Sequence, residues 1–305
     1  MGRRRGQPVH GWLILDKPAG ISSAAAVGQV KRLLDAEKIG HAGTLDPLAS
    51  GILPLALGEA TKTVSYVMSD TKRYRFTVRW GEARSTDDVE GEVTATSNHR
   101  PDAAAIAAAL PGFTGVIQQT PPAYSAIKVD GKRAYALARK GEVVELAPRE
   151  VMIDRLELLR VNADEAEFDL VCGKGTYVRS LARDLAVALG TVGHVTALRR
   201  TAVGRFDEIR AIALDSLIAF GHSAGAFERV LPILTVLDDI PALAITEAET
   251  KLIQTGRSVW LGHSGLNPGF ELLQGNAVCV TGQRQPVALG QILNGEFRPV
   301  RVFNL

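Results

Sequence analysis

The residues that could do chemistry in this 305-residue chain gather in one stretch, Gly40-His41-Ala42-Gly43-Thr44-Leu45-Asp46-Pro47-Leu48-Ala49-Ser50-Gly51. Three glycines, an Asp-Pro and a serine describe a tightly turned loop between a helix and an apolar run. Loops held by a scaffold are where reactive groups tend to sit, and this one carries Asp46 with His41 five residues before it. Lys17 and Lys38 are close in sequence. Asp-Pro is also a common turn initiator, so residue types alone leave Asp46 open between a reactive group and a turn.

Other chemistries lack their motifs. Gly58-Glu59-Ala60-Thr61-Lys62-Thr63 has the wrong spacing for a phosphate-binding loop, and Gly173-Lys174-Gly175 lacks the third glycine of a dinucleotide fingerprint. The six histidines, His10, His41, His99, His194, His222 and His263, are scattered with no two at i, i+4, so metal catalysis has no support. No Gly-x-Ser-x-Gly occurs, which argues against an elbow-type serine hydrolase. Cys172 and Cys279 lie 107 positions apart. That spacing excludes a disulfide framework or a cysteine-built zinc site, and a reducing cytoplasm is the expected compartment.

The loop does not stand alone. Gly11-Trp12-Leu13-Ile14-Leu15-Asp16-Lys17-Pro18-Ala19-Gly20-Ile21-Ser22-Ser23 precedes it, and Leu57-Gly58-Glu59-Ala60-Thr61-Lys62 and Lys72-Arg73-Tyr74 follow. Further on come Thr120-Pro121-Pro122-Ala123-Tyr124-Ser125-Ala126-Ile127-Lys128 and Lys174-Gly175-Thr176-Tyr177-Val178-Arg179-Ser180-Leu181. Together, in order and over about residues 11–205, these motifs resemble the bacterial TruB-type tRNA pseudouridine synthases. The Leu-Ala-Ser after Asp46-Pro47 looks like the stand-alone bacterial branch rather than the guide-RNA-dependent relatives.

The resemblance implies an isomerase acting on the T-loop uridine at tRNA position 55. The uracil N1–ribose bond breaks, the base turns, and C5 joins the sugar. No redox step, energy source or metal is needed, in agreement with the missing motifs, so no cofactor is expected. Asp46 is implied to be the nucleophile, forming a covalent adduct with the substrate. An ordinary aspartate is already ionised at neutral pH, and Arg179 is implied to sit beside it and favour that form further. Tyr74 is implied to stack on the uracil and to help remove the C5 proton. A buried phenol is a poor base unless activated, so stacking is its main expected role.

A uridine inside a folded RNA loop must be flipped out, and His41 is implied to occupy the gap it leaves. Lys17 and Pro18 match positions that support the loop, and Lys17 and Tyr177 both belong to the expected RNA-contact set. The basic segment Lys128 to Arg149, with Lys132, Arg133, Arg139 and Lys140 around Tyr135, resembles an insertion at about 124–152 that clasps the RNA stem-loop. Its charges would supply affinity and position, not base identity. The expected partner is the T stem-loop of tRNA, with no membrane and no required protein partner. Two alternatives compete: an RNA-binding or RNA-folding protein with dispensable catalysis, and the same isomerase on another RNA.

Patterned elements must position these residues. Ser22 or Ser23 can cap a helix running to Lys38, with Val27, Val30, Leu33 and Leu34 on one face. Pro101-Asp102 opens a short alanine-rich helix that Pro111-Gly112 stops. Ser180 to Leu189 reads as a helix closed by Gly190, and Thr246 with Glu249 forms a capping-box pattern. Tyr74, Phe76, Val78 and Trp80 alternate with Arg75, Thr77 and Arg79 as a half-buried strand does. Val151 to Val161 and Glu167 to Cys172 read as strands joined at Asn162-Ala163-Asp164. Short strands are expected at Ala277 to Val280, Val287 to Ile292 and Val300 to Phe303.

Strands and helices without regular alternation predict an α+β fold, a mixed central sheet flanked by helices. By resemblance it is the pseudouridine synthase fold. A boundary near Leu231 to Pro241 suggests one domain at 1–235 and a small β-rich module at 236–305; the resemblance implies that the first is catalytic and the second a PUA-like RNA-binding module. Apolar residues are 46% and charged residues 22%, an ordinary globular balance. No run approaches the length of a membrane helix or a secretory signal, so a soluble protein is expected. Net charge is only +2, but residues through Trp80 hold twelve Lys or Arg against six Asp or Glu. Lys128 to Arg149 holds six against three, whereas Ile233 to Leu305 holds five against six. Basic regions in a near-neutral chain suit a polyanion-binding face.

Overall fold

The computed structural model describes residues 6–125, 127–129, 131–138, 140–142, 144–261, 273 and 275–305. The alternation in Lys72–Trp80 does what it predicts: Phe76, Val78 and Trp80 are buried while Arg73, Arg75 and Arg79 face solvent. This strand lies in the middle of a mixed sheet. On one side of it come Glu165–Cys172, Arg149–Val161 and the edge strand Gly115–Gln119, all antiparallel. On the other come Gly193–Val203, Ser50–Leu57, Gly11–Lys17 and Ile212–Ala213. Two of those pairings are parallel, Ser50–Leu57 with Gly193–Val203 and Gly11–Lys17 with Ile212–Ala213. The fold is therefore α+β around a mixed sheet, as its unalternating order of elements predicts.

Three long strands escape a reading by alternation. Gly11–Lys17 and Ser50–Leu57 are buried almost end to end. Leu13, Leu15, Leu53, Leu55 and Leu57 enter one core, while Trp12, Ile14, Ile52 and Ala56 enter another on the opposite face. A strand covered on both faces is apolar throughout and shows no period of two. The third, Gly193–Val203, mixes buried apolar residues with the buried Arg200.

Helices Ser23–Leu33 and Val178–Ala188 pack on the first core. Ser22 caps the former by accepting from the Ala25 N–H at 3.1 Å. This helix stops short of the expected Lys38, because Asp35 turns into the left-handed region at φ 44 and its carbonyl is taken by the Gln7 N–H at 2.5 Å. The alanine-rich helix spans Ala103–Ala109 and runs on into a tighter turn, Leu110–Phe113, that passes through Pro111. Asn162 makes the turn between its two strands by accepting from the Asp164 and Glu165 N–H groups at 3.0 and 2.8 Å.

A second sheet orders Ala242–Ala244, Ala277–Gly282, Gln285–Leu293, Glu296–Val302 and Val259–Trp260. Helix Glu247–Gln254 packs on it, with both halves of the Thr246–Glu249 capping box formed. Cys279, Leu289 and Phe303 leave this sheet's own core and join Trp12, Ile14, Phe206, Ile233 and Leu237. Lys62 Nζ donates to the Val302 carbonyl at 2.7 Å, and the Asn304 N–H to Glu59 at 2.8 Å. Among the described residues no helix is long and apolar enough to cross a membrane.

Candidate active site

Ile39–His41 pairs antiparallel with Ser50–Leu57, so the Asp46 loop bridges two ends held in one sheet. Buried side chains fix its backbone from three directions. Ser23 Oγ accepts from the Leu45 N–H and donates to the Leu45 carbonyl, both at 2.8 Å. Lys17, fully buried, donates to the carbonyls of Pro18 at 2.8 Å, Ile21 at 2.7 Å and Pro47 at 3.5 Å. Arg200, also buried, donates to the carbonyls of Ile52 at 2.7 Å, Gly43 at 3.0 Å and Thr44 at 3.4 Å. Polar groups taken from water this completely are tolerated only when partnered, and here backbone carbonyls are the partners, those of Gly43, Thr44, Leu45 and Pro47 within the loop itself. Burial pushes the Lys17 ammonium down to about 8; the nearby Asp46 charge opposes that shift and Arg200 adds to it.

Asp46 ends up on the rim, its side chain 36% exposed, with Arg179 buried behind it. Arg179 Nε donates to Asp46 Oδ2 at 2.9 Å. Its other nitrogens donate to the carbonyls of Thr86 at 2.7 Å and Tyr124 at 2.9 Å. A second carboxylate, Asp88, stands 3.5 Å from Nε and is itself buried. Thr86 Oγ1 and the Glu90 N–H, at 2.5 and 3.0 Å, hold Asp88 in turn. A guanidinium braced in this way presents a fixed positive charge to one exposed carboxylate. Such an arrangement suits a carboxylate that must reach a substrate from solvent while its cationic partner stays in place.

Tyr74 and His41 lie in the same electrostatic neighbourhood, each feeling the Arg200 charge. Burial raises the Tyr74 phenol above its ordinary value, with Arg200 pulling the other way. The hydroxyl therefore keeps its proton at neutral pH. His41 is half-buried, and burial first and Arg200 second lower its pKa from 6.5, so the ring is neutral at pH 7. Its Nδ1 is buried with no hydrogen-bond partner among the described residues.

The structure thus brings Asp46 and Arg179 into contact, with Lys17 and Tyr74 close enough to feel the Asp46 charge and His41 close enough to feel that of Arg200. Tyr177 caps the start of the Arg179 helix, and its ring lies under the Arg149 guanidinium at 5.1 Å. The insertion holds the hairpin Lys128–Val129 with Lys132–Arg133 and the helix Ala134–Ala138. The side chains of Lys128, Lys132 and Arg133, and all of Arg139, lie outside the described residues. The charge excess before Trp80 needs correction. Lys17 and Lys72 are buried and bonded to carbonyls, and Arg79 pairs with Glu165 at 3.1 Å, so this excess is not all a polyanion-facing surface. Sequence reasoning missed Asp88, Arg200, Ser23's clamp on Leu45, and Gln119. Arg200 alone left a trace, as one of two adjacent arginines in the segment Gly193–Val203.

Comparison with known proteins agrees with this layout. Residues 31–178 match the model of the TruB family pseudouridylate synthase N-terminal domain, and 179–236 that of the tRNA pseudouridylate synthase B C-terminal domain. Proteins named tRNA pseudouridine synthase B from Rhodospirillum rubrum and Bradyrhizobium diazoefficiens are 55% and 54% identical. Those alignments cover 99% of this chain and 99% and 88% of the relatives. A solved Cbf5–Nop10–Gar1 complex aligns with TM-score 0.71 and 26% identity, covering 97% of this chain and 84% of that one. An H/ACA RNP bound to a substrate RNA containing 2′-deoxyuridine aligns with TM-score 0.72, over 98% of this chain and 86% of that one. At 23% identity it speaks for the fold alone. With more than half its residues shared along its whole length, the chain belongs to the TruB family of pseudouridylate synthases, and it is an isomerase.

Proposed function

We propose that this enzyme converts the T-loop uridine at tRNA position 55 to pseudouridine through a covalent adduct on Asp46. The observation that carries the reading is the 2.9 Å pair between the exposed Asp46 carboxylate and the buried, braced Arg179. The names of the relatives support tRNA as the substrate. The target uridine flips out of the loop, at a cost offset by contacts in the site, and His41 takes its place in the stack. A neutral ring suits that position, since it inserts among bases without a charge to desolvate. Tyr74 stacks on the uracil as a protonated phenol.

The Asp46 oxygen then bonds to the substrate and the N1–ribose bond breaks. The base turns, C5 bonds to the ribose, the bond to Asp46 breaks to release the carboxylate, and the proton lost from C5 to solvent is balanced by one taken up at N1. Lys17 and Arg200 hold the loop and take no chemical step. The insertion at about 124–152 clasps the RNA through its basic residues, Lys128, Lys132, Arg133 and Arg139. The proposed division is a catalytic domain at 1–235 and an RNA-binding module at 236–305. The test is to incubate the protein with unmodified tRNA and map pseudouridine in the product. One modified residue in the T-loop, at position 55, is expected; conversion elsewhere, or none, overturns the reading.

A further inference from the structure

Gln119 is the last residue of the edge strand Gly115–Gln119 and the first of the segment leading into the insertion. It is buried, at 1% exposure, and its amide grips one residue at both ends. Oε1 accepts from the Tyr177 N–H at 2.7 Å, and Nε2 donates to the Tyr177 carbonyl at 3.1 Å. Tyr177 caps the Arg179 helix and makes no side-chain capping bond of its own. The Tyr177 carbonyl also accepts the helical bond from the Leu181 N–H at 3.0 Å, so the first turn is anchored through the atom Gln119 holds.

The next residues of the same segment repeat the connection. The Thr120 carbonyl accepts from Ser180 Oγ at 2.8 Å and from Arg183 Nη2 at 3.0 Å. Pro121 and Pro122 follow, both buried, and their rings fix φ. Two residues later the Tyr124 carbonyl accepts from Arg179 Nη2 at 2.9 Å. The root of the insertion is therefore bonded to the helix turn that carries Arg179, and to Arg179 itself.

We propose that Gln119 is a positioning residue for catalysis: its two-ended grip on Tyr177 sets Arg179 behind Asp46 and ties that setting to the root of the insertion. Tyr177 and Arg179 are two residues apart at the start of one helix, so a slack cap moves the guanidinium relative to the carboxylate. A displacement of about 1 Å at a reacting group can cost roughly 100-fold in rate. The inference rests on the reading of Asp46 as nucleophile with Arg179 as its partner.

Two variants test it. Gln119→Leu keeps the bulk and removes both bonds. Gln119→Glu keeps the acceptor but, when ionised, sets a carboxylate oxygen against the Tyr177 carbonyl. Protonated, the same acid both donates and accepts, and reproduces the amide. Single-turnover pseudouridine formation, tRNA affinity and folded fraction are measured on each from about pH 5.5 to 8.5. Gln119→Leu is expected to lose roughly 10- to 100-fold in single-turnover rate, with affinity within about twofold of wild type. Gln119→Glu is expected to lose as much at high pH and to recover as pH falls, relative to wild type at the same pH.

Wild-type rates in both variants overturn the inference. So does a loss that merely tracks the folded fraction, or a Gln119→Glu rate with the wild-type pH profile. If wild-type protein forms no pseudouridine, the function reading has failed. If wild type is active and Asp46→Asn is not, while both Gln119 variants match wild type, only this inference has failed.

Discussion

Burial sets Lys17 against its own charge. Its ammonium holds the carbonyls of Pro18, Ile21 and Pro47, yet removal from water pushes its pKa from 10.5 down to about 8. Between those values the unfolded chain binds more protons than the folded one, so this group's contribution to stability rises with pH across the window. Wild type should therefore gain on Lys17→Met as pH climbs from about 8 to 10.5. Urea unfolding of both proteins across that range checks it; a gap that stays flat or shrinks contradicts it. Arg179 poses the complementary case, since its charge is compensated by two carboxylates and two carbonyls. At this scale the motifs pointed to Asp46, Arg179, Tyr74 and His41. They could not point to Asp88 or Arg200, whose importance lies in partners 91 and 157 residues away.

At the scale of elements, the parallel pairing of Ser50–Leu57 with Gly193–Val203 decides where the Asp46 loop ends. Gly51 lies opposite Arg200 in that pair at φ +100, and a Cβ there would overlap the Arg200 backbone. Gly51→Ala combines a disfavoured backbone region with a clash against a backbone that cannot swing aside. It should cost about 3 kcal/mol or more, read from urea midpoints, and activity should fall with it. A loss under about 1 kcal/mol would show that the two strands can part at little cost. The half-exposed strand Lys72–Trp80 and the capped helices were legible, because solvent on one face writes a period into the sequence. Gly11–Lys17 and Ser50–Leu57 were not, because a strand buried on both faces is apolar at every position. Gly193–Val203 was hidden for another reason: two irregularities in its pairing break the alternation, and its buried Arg200 stands beside the part-exposed Arg199.

Across the whole molecule, the second sheet is more than an appended contact. Phe303 and Leu289 complete a core that includes Trp12 and Ile14 of the first strand. Truncation after Asp239 strips these residues away and should destabilise what remains by roughly 3–5 kcal/mol, the cost of emptying one large aromatic site. The removed portion is nearly neutral, with five Lys or Arg against four Asp or Glu from Ile240 to Leu305. Loss of tRNA affinity in the fraction still folded should therefore be modest, about 1–2 kcal/mol. Calorimetry and filter binding on the truncated chain check both parts. Unchanged stability, or a thousandfold loss of affinity with the fold intact, contradicts the assignment.

Asp46→Asn tests the central claim most directly. The change keeps the side chain's size but removes the charge and the nucleophilic oxygen. Arg179 retains Asp88, Thr86 and Tyr124 as partners, so the variant should fold within about 1–2 kcal/mol of wild type. Binding should survive, because RNA affinity comes mainly from phosphate contacts and shape. With the covalent adduct impossible, turnover should become undetectable, a loss beyond the roughly 10⁴-fold that removal of an acid or base explains. The measurement is pseudouridine yield from tRNA on folded, RNA-bound Asp46→Asn beside wild type. The account predicts none; conversion at an appreciable fraction of the wild-type rate would contradict Asp46 as the nucleophile.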